Sequence, residues 1–221
     1  MPRHPTKDRV IAAATALFAE RGFHGTTMRD IAERAGVNVA AGNYHYGSKK
    51  ALYLEVLRAQ FAEIRATLET RRVNRPESEL RHLSRRELVA LLRARIRTML
   101  DILIGPPPSP NATLMQREMC DPTEALPVIV DEFIRPIMRE MGTIVQHVAP
   151  ELDADAVERC VRSVAGQALF YSFVTPAMLL ILDLPAYPRG LARELASHIT
   201  AFSLGGMERL AAAGRRKSHA T

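Results

Sequence analysis

Apolar residues recur at spacings of three and four along almost the whole chain, while hairpin dipeptides and alternating β-branched runs are scarce. Side chains three and four apart share one face of a helix, so this spacing calls for helices that pair along apolar stripes and leaves little for a sheet. The expected fold class is all-α. Val10, Ile11, Ala14, Leu17 and Phe18 form the first stripe, and Gly22 stops it. Thr27 with Asp30 fits a capping box for a short second helix carrying Ile31, Ala32 and Ala35. Gly36 permits a sharp turn, after which Asn38 can cap a third short helix. A long helix over 48–72 follows, with Leu52, Val56, Leu57, Phe61, Ile64 and Leu68 on one face. Beyond a polar connector, the pattern predicts a helix over 85–104, a proline-rich loop over 105–111, and two helices over 112–148 split near Asp121 and Pro122. Kinks are expected at Pro127 and Pro136. One helix is expected over 153–182, a last one over 189–213, and a basic disordered tail over 215–221.

Charge adds a function class. The chain of 221 residues carries a formal net charge of +6, and residues 1–75 hold 13 Lys and Arg against 7 Asp and Glu, so the whole excess lies in the first third. A basic module joined to a neutral body suggests a polyanion-binding head, although a merely solvated charged surface has the same composition. The N-terminal residues show no apolar signal core, and the longest apolar run, "PAMLLIL", is too short to span a bilayer. Cys120 and Cys160 show no pairing motif. A cytoplasmic protein without membrane contact is expected.

Residues 38–46, "NVAAGNYHY", have few core-forming side chains and many polar tips. A helix lying in the major groove must bring its backbone close to base edges, which Val39, Ala40, Ala41 and Gly42 permit. Asn43, Tyr44 and His45 carry donors for phosphates or bases, and Lys49 and Lys50 open the next helix. On this stretch alone, a groove-facing helix and an ordinary packing surface fit equally. Residues 9–57 are more specific. "LFAERGF", "TTMRDIAERAGV", the Tyr/His-rich "NYHY" and "GSKKAL" stand in the order of the DNA-binding domain of the TetR family of transcriptional regulators, which this stretch resembles. "NVAAGNYHYGSK" is most similar to the CecR branch, and "REMCDPTEAL", "FIRPIM" and "GQALFY" resemble that branch's sensing domain more loosely.

The resemblance implies an N-terminal three-helix helix-turn-helix domain over 1–50, with 48–72 as the linking helix, followed by a helical effector-binding and dimerisation bundle over 51–214. It places Thr27, Asn43, Tyr44, His45 and Lys49 at positions that touch the DNA backbone, and Asn38, Val39, Ala40 and Ala41 at positions facing bases. Tyr46 falls where the family usually has a core Phe, and Asn43 departs from the usual Tyr. The implied partners are a double-stranded DNA operator, a small-molecule effector and a second copy of the chain bound through the last two helices. Val157, Val161, Val164, Ala165 and Ala168 form one candidate interface stripe, and Leu191, Leu195, Ile199 and Phe202 the other.

Candidate effector contacts are Phe61, Leu103, Met115, Arg117, Glu118, Met119, Gln167, Phe170 and Tyr171, a mostly apolar set with few polar handles. A structural ion pair and a satisfied buried amide would use the same polar residues. No nucleophile elbow, phosphate loop or metal-ligand spacing accompanies them, so neither catalysis nor a metal or other cofactor is expected. The expected function is a sequence-specific regulator, a repressor released by a largely apolar effector. A helical enzyme or binding bundle with a non-reading helix-turn-helix, and a regulator controlled by a protein partner, are the rival readings.

Overall fold

Ser84 shows how this chain marks a helix start. Its side chain accepts from the Glu87 N–H, and the Glu87 carboxylate accepts from the Ser84 N–H and hydroxyl, a complete capping box. Nine helices of seven residues or more occur among the described residues. These are α1 (Pro5–Arg21), α2 (Met28–Ala35), α3 (Lys49–Thr70), α4 (Arg85–Ile104), α5 (Pro110–Cys120), α6 (Arg135–Val148), α7 (Ala154–Phe173), α8 (Thr175–Ile181) and α9 (Leu191–Ser218). Single helical turns cover Glu77–Leu80 and Leu126–Ile129, and a π turn covers Val130–Ile134. The computed structural model describes the backbone of residues 5–38, 46–105 and 110–218, and no strand occurs among them.

Four boundaries differ from the sequence expectation, three of them at prolines. Pro110 begins α5 instead of ending a loop, because proline lacks an N–H that the first turn does not need. Pro136 sits in the first turn of α6, directly after the π turn, so the helical run over 126–148 is continuous but carries a π turn between its two prolines. The expected helix over 153–182 breaks at Val174, and α7 and α8 meet at 69°. Pro176 cannot donate to the carbonyl one turn back, and the Thr175 hydroxyl donates to Tyr171 O and Ser172 O at the break. Finally, α9 continues through Ser218, so the tail expected to be disordered from 215 is helical over most of its length.

Contacts gather the chain into two units, Met1–Arg65 with Pro108–Phe133, and Ala66–Pro107 with Ile134–Thr221. The first unit is built on Val10, Leu17 and Phe18 of α1, Ile31 and Ala32 of α2, and Leu52, Tyr53 and Val56 of α3, all buried. Helix α1 packs against both α2 and α5. The second unit is centred on α4, which packs against α6, α7 and α9 and buries Leu92, Ile96 and Leu100 completely. Arg95 of α4 is buried too, its guanidinium donating to Glu140 at 3.0 Å.

The interface stripes read from sequence are largely consumed inside this unit. Val157, Val161, Val164 and Ala168 are buried in their own chain, as are Leu195 and Ile199, and Ala165 and Leu191 are half-buried. Only Phe202 remains 68% exposed. The widest apolar stripe of each helix serves the chain's own core, because that is where α4 and α6 lie.

Helix α3 ends in a Schellman motif. The Arg72 N–H reaches Glu69 O, the Val73 N–H reaches Leu68 O, and Val73 and Leu68 are both buried. Arg72 holds the left-handed position at φ 51°, where a Cβ is strained. Arg72→Gly is therefore expected to raise stability by about 0.5–1 kcal/mol, seen as a higher urea midpoint at unchanged slope.

Candidate nucleic-acid interface and sensing residues

The α1–α2 loop is fixed from several sides. The buried Thr26 hydroxyl donates to Leu17 O and Gly22 O. Thr27 is the N-cap of α2, its hydroxyl accepting from the Asp30 N–H at 3.1 Å and donating to the Asp30 carboxylate at 2.6 Å. The Thr27 hydroxyl and amide hold the Asp30 carboxyl below its usual range, so the cap is complete at neutral pH and weakens only as the solution becomes acidic. Gly36 closes α2 at φ 63°, with its own N–H on Glu33 O and the Val37 N–H on Ala32 O. This is the tight turn that a helix-turn-helix needs, at a residue without Cβ strain.

Tyr46 and the start of α3 are equally fixed. Tyr46 is buried, as its structural reading requires, and its hydroxyl lies 3.4 Å from Lys7 O. Burial first, then the Glu55 and Asp8 charges, push its phenol up to about 12. The Ser48 side chain accepts from the Ala51 N–H at the start of α3. Lys49 donates to Phe23 O and Thr26 O, both at 3.0 Å, and lies 4.4 Å from the centre of the Phe23 ring. An ammonium has three N–H groups. Two of them here bind the loop that presents Thr27, so Lys49 positions the start of α2 besides any contact it makes with phosphate. Asn38 and Thr27 are both exposed. Val39, Ala40, Ala41, Asn43, Tyr44 and His45 lie outside the described residues.

The residues expected to sense an effector fall into two groups. In the first unit, Arg117 donates to Ala19 O and Glu20 O, both at 3.0 Å, and so occupies carbonyls at the C-terminus of α1. Glu118 is 1% exposed and accepts from the Tyr53 hydroxyl at 2.9 Å and from the Thr123 N–H and hydroxyl, both at 2.9 Å. Burial and the Glu118 bond push the Tyr53 phenol well above its usual range. Phe61 stacks on Phe133 with ring centres 3.7 Å apart. Met115 is half-buried and Met119 is 36% exposed. Tyr53 and Thr123 were not singled out from sequence. Thr123 follows Glu118 by five residues across a proline, a spacing that carries no signal by itself.

In the second unit, Gln167, Phe170 and Tyr171 are brought together with Gly166, His198 and Ile199 around a groove of about 350 Å³ between α7 and α9. Gln167 donates to Ser163 O at 3.2 Å and to the Ser203 hydroxyl at 3.3 Å. Phe170 is 51% exposed and meets the Tyr171 ring edge-on. This groove is an outer feature, whereas the sequence reading placed these side chains inside. Leu103 is half-buried, and its carbonyl accepts from the Ser172 hydroxyl. Among the described residues no group of His, Cys, Asp and Glu is placed to hold a metal ion.

Comparison with known proteins gives this geometry a lineage. Residues 10–56 match the family model of bacterial regulatory proteins of the tetR family. Residues 88–207, more than half of the chain, match the C-terminal domain of the HTH-type transcriptional dual regulator CecR. The chain belongs to the TetR family. Within that family it is similar to the biofilm operon negative transcriptional regulator IcaR of Staphylococcus aureus strain Newman, at 40% identity over 55 residues, 25% of this chain and 30% of IcaR. It is also similar to the probable regulator YttP of Bacillus subtilis strain 168, at 46% identity over 66 residues, 29% of this chain and 31% of YttP. The matched stretch thus spans about a third of these curated relatives. Two solved structures share the fold. The fatty acid degradation regulator FadR from Bacillus halodurans has a TM-score of 0.65 at 16% identity, covering 93% of this chain and 98% of that one. The FadR from Bacillus subtilis in complex with stearoyl-CoA has a TM-score of 0.63 at 16% identity, covering 90% and 98%.

The two matches divide this TetR-family chain differently from its contacts. The CecR-type match runs straight through 108–133, the segment that packs with residues 1–65. Arg117 and Glu118 thus belong by sequence to the matched C-terminal domain and by contact to the unit that holds the helix-turn-helix.

Proposed function

We propose that this TetR-family protein is a cytoplasmic, dimeric, sequence-specific repressor whose hold on its operator is weakened by a small, largely apolar effector. The observation that carries the DNA-reading role is the α1–α2 frame. It combines a capped α2, a left-handed glycine at its end and a buried Tyr46 directly after the stretch that the family uses for base contact. Residues 1–50 read DNA in this proposal. Thr27, Asn43, Tyr44, His45 and Lys49 lie against the backbone, and Asn38, Val39, Ala40 and Ala41 lie against bases. Residues 51–214 sense and dimerise. Among the described residues no single helix is long and apolar enough to cross a membrane.

An apolar effector is supported by the apolar character of the candidate residues in each unit taken by itself, Phe61, Met115 and Met119 in the first and Leu103, Phe170, Gln167 and Tyr171 in the second. The B. subtilis FadR neighbour, whose structure holds stearoyl-CoA, supports the same class. Arg117 and Glu118 act in the proposal as couplers, because their polar atoms are already committed to α1, Tyr53 and Thr123.

Selection of bound duplexes from a random pool, followed by binding at rising salt, tests the proposal. A dimer neutralising about six phosphates should show log K falling against log salt with a slope near −5. Failure to enrich any sequence, or affinity indifferent to salt, would remove the DNA-reading role.

A further inference from the structure

Between the end of α3 and the first half of α4 lies a hollow with an apolar floor and a basic rim. Val73 and Leu91 are buried in the floor, Leu83 and Ala94 are half-buried, and Ala90 is exposed beside them. The volume is about 300 Å³, at the small end of the range for ligand sites. Arg71, Arg72 and Arg75 supply the positive charge of the lining. Arg71 is already committed, because its guanidinium donates to the Asp101 carboxylate and lies 3.4 Å from the Thr98 hydroxyl. Arg72 and Arg75 enter no ion pair among the described residues. Glu87, the carboxylate in the lining, already accepts from the Ser84 N–H and hydroxyl. Those bonds, with the Arg75 charge behind them, hold its carboxyl below the usual range. Arg72 also sits at φ 51°, a strained position that glycine would occupy freely. Strain kept at a residue whose charge has no partner in the chain points to a use for that side chain beyond internal packing.

We propose that this hollow binds a small organic anion, an apolar body carrying one carboxylate, sulfonate or phosphate group. The body covers Val73, Leu83 and Leu91, and the anionic group meets Arg72 and Arg75. A guanidinium offers paired N–H donors that match such oxygens, so two of them on one rim select for the charge, while the floor selects for the apolar body. Arg72 and Arg75 also line a neighbouring hollow together with Glu69 and Glu79. That second hollow is walled by acids, whereas the first joins the same arginines to an aliphatic floor, which is what an amphiphilic anion requires. None of the effector candidates named above lines this hollow. The site therefore adds a second ligand class to the chain, and it stands whether or not residues 1–50 read DNA.

Two fluorescent probes test this on the full chain: anilinonaphthalenesulfonate, and phenylnaphthylamine, which has the same rings without the sulfonate. Sulfonate fluorescence should rise to saturation and weaken as salt is added, and the amine should bind at least about tenfold less tightly. Arg72→Gly, the substitution expected above to raise stability, should weaken sulfonate binding about tenfold and leave the amine unchanged. Arg72→Gly/Arg75→Gln should remove the saturable phase while urea unfolding shows an intact fold. Ala90→Phe, at an exposed helix position, should obstruct the floor and weaken both probes. A sulfonate titration that the double variant leaves unchanged would overturn the proposal and place the probe elsewhere on the chain. Equal affinity for the two probes would overturn it as well, because the hollow would then be an apolar surface without selection for charge. Absence of a saturable phase in the parent would show that Glu69 and Glu79 hold the two arginines in solution, and would remove the site.

Discussion

Glu118→Ala is expected to destabilise the protein by about 3–5 kcal/mol, the largest single effect among the polar residues described. The carboxylate is 1% exposed and serves the Tyr53 hydroxyl together with both donors of Thr123. Removing it leaves a buried phenol and a backbone N–H without an acceptor, and unpaired buried donors cost more than their hydrogen bonds contribute. Tyr53→Phe removes one donor and keeps the ring beside Phe18 and Phe23, so it should cost only about 1 kcal/mol. A double-mutant cycle over the pair should show strong coupling, because the two losses share one bond. Denaturant unfolding of the four proteins reads this directly. Glu118→Ala within about 1 kcal/mol of the parent would mean that solvent reaches the carboxylate easily.

Phe202→Asp should act on assembly instead of folding. Phe202 is 68% exposed on α9, one turn before Gly205 and Gly206, and a Cβ at either glycine would meet nothing within 4 Å. Exposed helical glycines beside an exposed aromatic ring mark a place where another helix backbone can approach closely. A charge at such a centre typically costs a dimer about 2–4 kcal/mol, or roughly 30- to 1,000-fold in dissociation constant. Operator affinity should fall further, since engagement of two linked half-sites adds about 10²- to 10⁴-fold over one. Sedimentation at micromolar concentration and operator titration should move together. A variant that stays dimeric would place the contact away from this face of α9.

Local features of the fold were legible in the sequence wherever short-range physics decides them. Thr27 with Asp30, the turn at Gly36, the stripe on α3 and the stop near Asp121 follow from side chains within one helical turn of one another. The bend at Val174 was not legible as a break, because "SFVTPAMLLIL" keeps an apolar period across Pro176. The dimer stripes were misassigned for a related reason. Periodicity shows that a helix has an apolar face, and the packing of α4 and α6 decides whether that face meets the chain's own core. Of the site, Glu118 stood out as a polar residue in apolar company. Its partners Tyr53 and Thr123 needed the fold, as did the two carbonyls that hold Lys49.

The attachment of residues 108–133 to the helix-turn-helix unit limits how this protein can be cut or recombined. A fragment ending near residue 65 would keep every residue of the DNA-reading motif, yet lose Glu118 beneath Tyr53, Phe133 beneath Phe61 and the Arg117 grip on α1. Ion pairs from Lys50 to Glu124 and from Arg58 to Glu132 would go with them. Exchanging such a head between relatives at a single junction leaves it resting on a strap evolved for different side chains. A working chimera of this protein needs three junctions, near residues 65, 108 and 133, so that the head travels with the strap that closes it.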